Sequence, residues 1–188
     1  SGKVILIGNS LGSLVALTCA VSLEDQIATV IASPLPDQIQ ENKKSITKKS
    51  SFKKFQDRFI TIFFLFFPLE IILFLITKLG VIKLGLNSAY FKKDNIDREL
   101  IDLVTKPVLR RTSARSLRAM CIGMSSRDEK FKASYLLRKL SASKKVPFLL
   151  IWGEKDNFIP LFVGKKIANF HRWVKLKIVS NSGHCIHD

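Results

Sequence analysis

The sequence predicts an α/β protein: a mostly parallel sheet with a helical cap inserted into it. Three observations carry this. Val4-Ile5-Leu6-Ile7 and Val146-Pro147-Phe148-Leu149-Leu150-Ile151-Trp152-Gly153 are near-continuous apolar runs, the pattern of strands covered on both faces of a parallel sheet. Each is followed by a helical pattern, as right-handed strand–helix–strand crossovers require. Between them, about residues 37–143 lose all strand alternation and read as basic and apolar helices.

The first strand ends in Gly8-Asn9-Ser10-Leu11-Gly12, and a small-residue apolar helix begins near Ser13. A serine in Gly-x-Ser-x-Gly between strand and helix sits on a strained turn, its hydroxyl lifted above the sheet edge. Gly8 and Gly12 are expected to lack side chains so that strand and helix can approach. The Leu11 N–H, at the helix start, would face a developing oxyanion. Ile27–Ser33 reads as the second strand, stopped by Pro34 and Pro36. The expected domains are a core of 1–36 and 144–188 and a cap of 37–143.

Within the cap, Lys43-Lys44, Lys48-Lys49 and Lys53-Lys54 form a basic linker, read first as solvated chain. The apolar run Phe59–Ile76 could span a bilayer by length, but Glu70 would sit in hydrocarbon and Pro68 breaks the run. A span there would also split the sheet across a membrane. The run is therefore expected to cover the pocket or dip into a membrane surface. Asp94 or Asn95 should cap a helix through Thr105 that Pro107 closes. Arg110–Met124 and Asp128–Leu140 are further amphipathic helices, with Arg110, Arg111, Arg115 and Arg118 as a charged face. Past the cap come the strand ending at Gly153, a helix over about Pro160–Phe170, and a last strand, Val174–Val179, that alternates as one nearer the sheet edge does.

The formal charge of +16 favours anionic surfaces, though a compositional bias toward lysine accounts for it equally. No stacking platform or nucleic-acid module accompanies the charge, so nucleic acid is not expected as a partner. Cys19, Cys121 and Cys185, odd in number and widely spaced, suggest reduced thiols in a cytosol-like compartment. The chain opens at Ser1 inside a core strand and stops at Asp188 after a His-rich turn. Further strands, and any targeting segment, are expected upstream.

A serine hydroxyl needs a base, and the base needs an orienting carboxylate. Of three histidines, His171 stands at a helix end and reads as a surface residue or C-cap. His184, in Ser182-Gly183-His184-Cys185, follows the last strand. Asp156, in Gly153-Glu154-Lys155-Asp156-Asn157, follows the strand before it. Serine, acid and histidine thus each follow a different strand, in the order found in one hydrolase fold. Glu154 is the runner-up acid. Cys185 should point away from His184, and no metal site is expected, because the ligands do not converge from separate segments.

These motifs resemble the α/β-hydrolase fold, and their details look most like its pheophytinase and chlorophyll-dephytylase branch in plants and cyanobacteria. The resemblance implies Ser10 as nucleophile, His184 as general base then acid, Asp156 as orienting acid, and no cofactor. It implies hydrolysis of a lipophilic carboxylic ester, such as the phytyl ester of a chlorophyll-type pigment. A cytoplasmic protein peripheral on an anionic, thylakoid-type membrane would fit. Lipase, thioesterase, C–C hydrolase and haloperoxidase chemistry use the same triad and stay open, as does a non-catalytic basic membrane binder. Ser13 departs from the glycine of many relatives, a change expected to be minor. The second oxyanion donor would lie upstream, so this stretch alone is expected to be inactive.

Overall fold

A computed structural model describes residues 2–37, 62, 69–78 and 80–187. The three lysine pairs, Pro68, most of Phe59–Phe67, and Asp188 lie outside the described residues. Among those described, four strands form one parallel sheet: β1 (Val4–Asn9), β2 (Ile27–Ser33), β3 (Phe148–Gly153) and β4 (Lys175–Val179), side by side in chain order. The register sets Asn9 beside Ser33 and Gly153 beside Val179, so the strands' C-terminal ends share one edge. The loops that follow β1, β3 and β4 therefore start together.

β2 and β3 carry the core: Val30, Ala32, Phe148, Leu150 and Trp152 are buried. β1 lies at the edge of the sheet that the described residues form. It has β2 as its one partner among the described residues, and Ile7 is 75% exposed.

Among the described residues the helices are α1 (Leu11–Ser22), α2 (Leu69–Lys78), α3 (Val81–Ala89), α4 (Arg98–Val108), α5 (Ser113–Ser125), α6 (Ala133–Ser143) and α7 (Leu161–Phe170). The chain divides into two compact units. One comprises Ser1–Gln40, Asn87–Asn95 and Asp128–Asp188, and the other Glu41–Leu86 and Ile96–Arg127.

In the first unit, α1 buries Leu14, Leu17 and Ala20 against β1, β2 and α6. The helix α6 thus belongs with the sheet, although the sequence placed it in the cap. Leu136, Leu137 and Leu140 join the sheet core, and full burial of each is worth roughly 1.5–3 kcal/mol. Asp37 supplies its N-terminal cap from far along the chain, accepting the Ala133 N–H at 2.7 Å. Asp128 caps only a short 3₁₀ turn before it, through the Lys130 N–H. On β3 and β4 lies α7, where a side chain on Gly164 would strike the indole of Trp152.

The second unit is helical. Asp97, not Asp94 or Asn95, caps α4, accepting the Leu100 N–H at 2.7 Å; Lys93–Asn95 is a separate 3₁₀ turn. Pro107 falls inside the last turn of α4, which runs to Val108 and so past the expected end at Thr105. Arg110 and Arg111 precede α5, so only Arg115 and Arg118 of the expected charged face lie on that helix. Arg118 meets both carboxylate oxygens of Glu70 at 3.4 Å; a backbone hydrogen bond at Glu70 and, after it, this guanidinium hold that carboxyl below its ordinary range. Among the described residues, no helix is long and apolar enough to cross a membrane.

His171 is the C-cap of α7, as one expected alternative had it, but it is 5% exposed rather than a surface residue. Its ring lies edge-on to Phe170 and Trp173, and its Nε2 is buried without a hydrogen bond. Burial, and secondarily the charge of Arg138 on α6, push its pKa down. Folding therefore favours the neutral ring. That stabilisation is complete above the ordinary pKa of about 6.5 and is lost as pH falls through the depressed value. The urea midpoint should drop between about pH 8 and about pH 5, and His171→Phe should flatten that drop. An unchanged slope in the variant would assign the acid sensitivity to other groups.

Candidate active site

The first loop off the shared edge is the serine turn. Ser10 has φ 52° and ψ −119°, a left-handed conformation that costs a non-glycine residue about 1–3 kcal/mol. The surroundings hold it there. Its N–H donates to Ser33 O at 2.8 Å, and its carbonyl accepts the Ser13 N–H at 2.9 Å. A Cβ on Gly8 would collide with the backbone of Gly12, so glycine is required at position 8. Gly12 itself has open space where its Cβ would stand, which corrects the expectation that both glycines permit the approach. Leu11 is the first residue of α1, and its N–H has no hydrogen-bond partner among the described residues.

Ser13 is not a minor change. Fully buried, its hydroxyl donates to Gly8 O at 2.7 Å and accepts the Ser33 N–H at 3.0 Å. One oxygen thus pins the end of β1, the start of α1 and the end of β2 together beneath Ser10. The sequence shows a serine there but not Ser33 twenty residues away, so its role was not legible.

The loops after β3 and β4 bring Asp156 and His184 together. Asp156 Oδ2 lies 3.0 Å from His184 Nδ1, with both side chains almost wholly buried. The other carboxylate oxygen accepts the N–H groups of Phe158 and Ile159 at 2.8 and 2.9 Å, so the carboxylate cannot rotate. Phe158 packs edge-on against the imidazole, with centroids 5.1 Å apart. Glu154 is exposed and makes no bond to His184. No hydrogen bond joins Ser10 to His184; such contacts commonly tighten only when substrate is bound.

Backbone hydrogen bonds also hold the histidine loop. Lys155 N–H donates to Ser182 O at 2.9 Å, and His184 N–H donates to Ala89 O at 2.7 Å. Gly153 and Gly183 are both so closely faced by backbone that neither admits a side chain. The Ala89 contact was also invisible in the sequence, since it comes from the middle of the insertion.

A family model described as the alpha/beta hydrolase fold matches residues 1–188. The chain belongs to that family. The α/β-hydrolase architecture is likewise found in solved structures. The chain is similar to a 2-hydroxy-6-oxo-6-phenylhexa-2,4-dienoate hydrolase from Rhodococcus sp. strain RHA1, at 15% identity and a TM-score of 0.66 over 97% of this chain and 57% of that one. It is similar to a meta-cleavage product hydrolase from Pseudomonas fluorescens IP01, at 13% and 0.61, covering 97% and 58%. It is also similar to a thermophilic esterase from Thermogutta terrifontis, at 18% and 0.59, covering 97% and 58%. The chain thus spans a little over half the length of these hydrolases, and at such identities the likeness is one of fold. A search of curated proteins returns no match.

In the helical unit of this α/β-hydrolase chain, a cavity of about 200 Å³ is lined by Glu70, Leu73, Phe74, Val108, Leu109, Arg110 and Arg111. On α2, Ile71, Phe74 and Leu75 are exposed at helical spacing, and the Lys78 ammonium lies over the Phe74 ring.

Proposed function

We propose that the protein is a serine hydrolase that cleaves a carboxylic ester of a lipophilic substrate through an acyl-enzyme. The observation that carries this reading is the buried Asp156–His184 pair, on the same sheet edge as a serine held at φ 52°. Ser10 Oγ attacks the ester carbonyl carbon while His184 Nε2 takes its proton. Asp156, bonded to Nδ1, fixes the tautomer and offsets the imidazolium charge. The Leu11 N–H donates to the oxyanion, and a donor of this kind is worth on the order of a hundredfold in rate. The carbonyl re-forms, and the C–O bond to the alcohol breaks as His184 returns the proton to the leaving oxygen. Water, deprotonated by His184, then attacks the acyl carbon, and collapse frees the acid and Ser10.

The insertion is rich in Phe, Leu and Ile, which favours a substrate with a long hydrocarbon group. The exposed α2 stripe, together with the +16 charge, supports peripheral contact with an anionic membrane, where such esters partition. The motif resemblance makes a phytyl ester of a chlorophyll-type pigment the first substrate to try.

The test is labelling of the full-length protein by a fluorophosphonate, a reagent for activated serines, beside Ser10→Ala. The unmodified protein should be labelled, and Ser10→Ala should lose labelling and ester turnover by at least about 10⁴-fold while remaining folded. A folded protein that resists the reagent would sink the serine mechanism. Hydrolysis of short esters in preference to phytyl and long-chain ones would sink the lipophilic assignment.

A further inference from the structure

We propose that the segment Ala89–Phe91 is a positioning element for His184, so that the insertion, and not the histidine loop by itself, sets where the imidazole stands. The inference rests on the Ser10–Asp156–His184 reading of the site. In sequence this segment lies between two stretches of the helical unit, yet Asn87–Asn95 packs with the sheet. Ala89 and Tyr90 are buried there.

Three stretches of backbone stack at this point. The inner one is the turn after β3, which carries Asp156: its Glu154 N–H donates to Val179 O at 2.9 Å and its Lys155 N–H to Ser182 O. The middle one is Ser182-Gly183-His184. The outer one is Ala89–Phe91. Side chains are excluded at both interfaces. A Cβ on Gly153 would collide with Gly183 O, and one on Gly183 would collide with Ala89 O and come within 3.0 Å of Phe91 N. The His184 N–H bonds outward to Ala89 O at 2.7 Å, while the His184 ring bonds to Asp156. Acid and base are thus referenced to one stack whose outer wall is the insertion. Displacing that wall moves the imidazole relative to Asp156 without altering either side chain.

Two variants of the full-length protein test this. Gly183→Ala drives a methyl group into the Ala89 carbonyl. Replacing Tyr90 by its α-hydroxy acid turns the Ala89–Tyr90 amide into an ester, which weakens the Ala89 carbonyl as an acceptor without adding bulk. The readouts are the rate of fluorophosphonate labelling, its pH midpoint, and the proton NMR signal of the His184 Nδ1–H. Gly183→Ala should slow labelling at least about tenfold, and the ester about fivefold, with melting curves still cooperative. In both, the pH midpoint and the Nδ1–H signal should shift, which a merely less stable protein would not show.

Unchanged labelling, midpoint and Nδ1–H signal in the variants would overturn the proposal, and should Gly183→Ala not fold, the ester variant decides it. The NMR signal does not depend on Ser10 reactivity. An unmodified protein that resists labelling would therefore refute the serine mechanism while the signal still judges the clamp.

Discussion

Asp156→Asn should lower kcat by roughly 10⁴-fold, with KM little changed and the fold intact. The size of the effect follows from which oxygen does what. Oδ1 is already committed to the N–H groups of Phe158 and Ile159. In an asparagine, only the carbonyl oxygen can accept those two bonds, so the NH₂ group is left facing His184 Nδ1. An NH₂ group donates, which forces the ring proton onto Nε2, the nitrogen needed as the base. The two backbone bonds survive, so the melting temperature should hold while turnover collapses. Steady-state kinetics beside a thermal melt make the comparison. A fall smaller than about tenfold would mean that Asp156 does not govern the tautomer during the reaction.

Ser13→Ala should cost about 2–4 kcal/mol in urea unfolding of the full-length protein, a large share of a typical domain's stability. The substitution removes one oxygen and leaves two buried partners bare: Gly8 O and the Ser33 N–H. Neither has room to turn toward water, since both sit under the serine turn. The same change should slow fluorophosphonate labelling, because the strained conformation of Ser10 persists only while its surroundings over-determine it. A loss below about 0.5 kcal/mol would show that the two groups find other partners at little cost.

The fold was legible wherever the signal was local. Gly-x-Ser-x-Gly after an apolar run, and the acid and histidine each just past a strand, are written in consecutive residues. The structure duly places Ser10, Asp156 and His184 on loops from one sheet edge, with the latter two bonded. What failed was non-local. That Ser13 serves Ser33, that Asp37 caps a helix beginning at Ala133, and that Ala89 bonds to His184 depend on pairings the chain makes only once folded. α6 looked like cap because its amphipathic pattern does not say which neighbour takes its apolar face. His171 looked exposed because a histidine at a helix end is polar by type, while in the fold Phe170 and Trp173 pack against its ring.

The pairing of β2 with β3 also bears on how the chain is made. Thr29 Oγ1 donates to the Pro147 carbonyl, and these residues are 118 positions apart. During synthesis, β1, α1 and β2 would leave the ribosome with the β3 side of β2 vacant, and it would stay vacant while the whole insertion was translated. Contacts of such long range make folding slow, and an open strand edge in the interval is a template for pairing with other nascent chains. Holdase chaperones that shield nascent chains should therefore matter more to the yield of this protein than to one whose neighbouring strands follow each other directly.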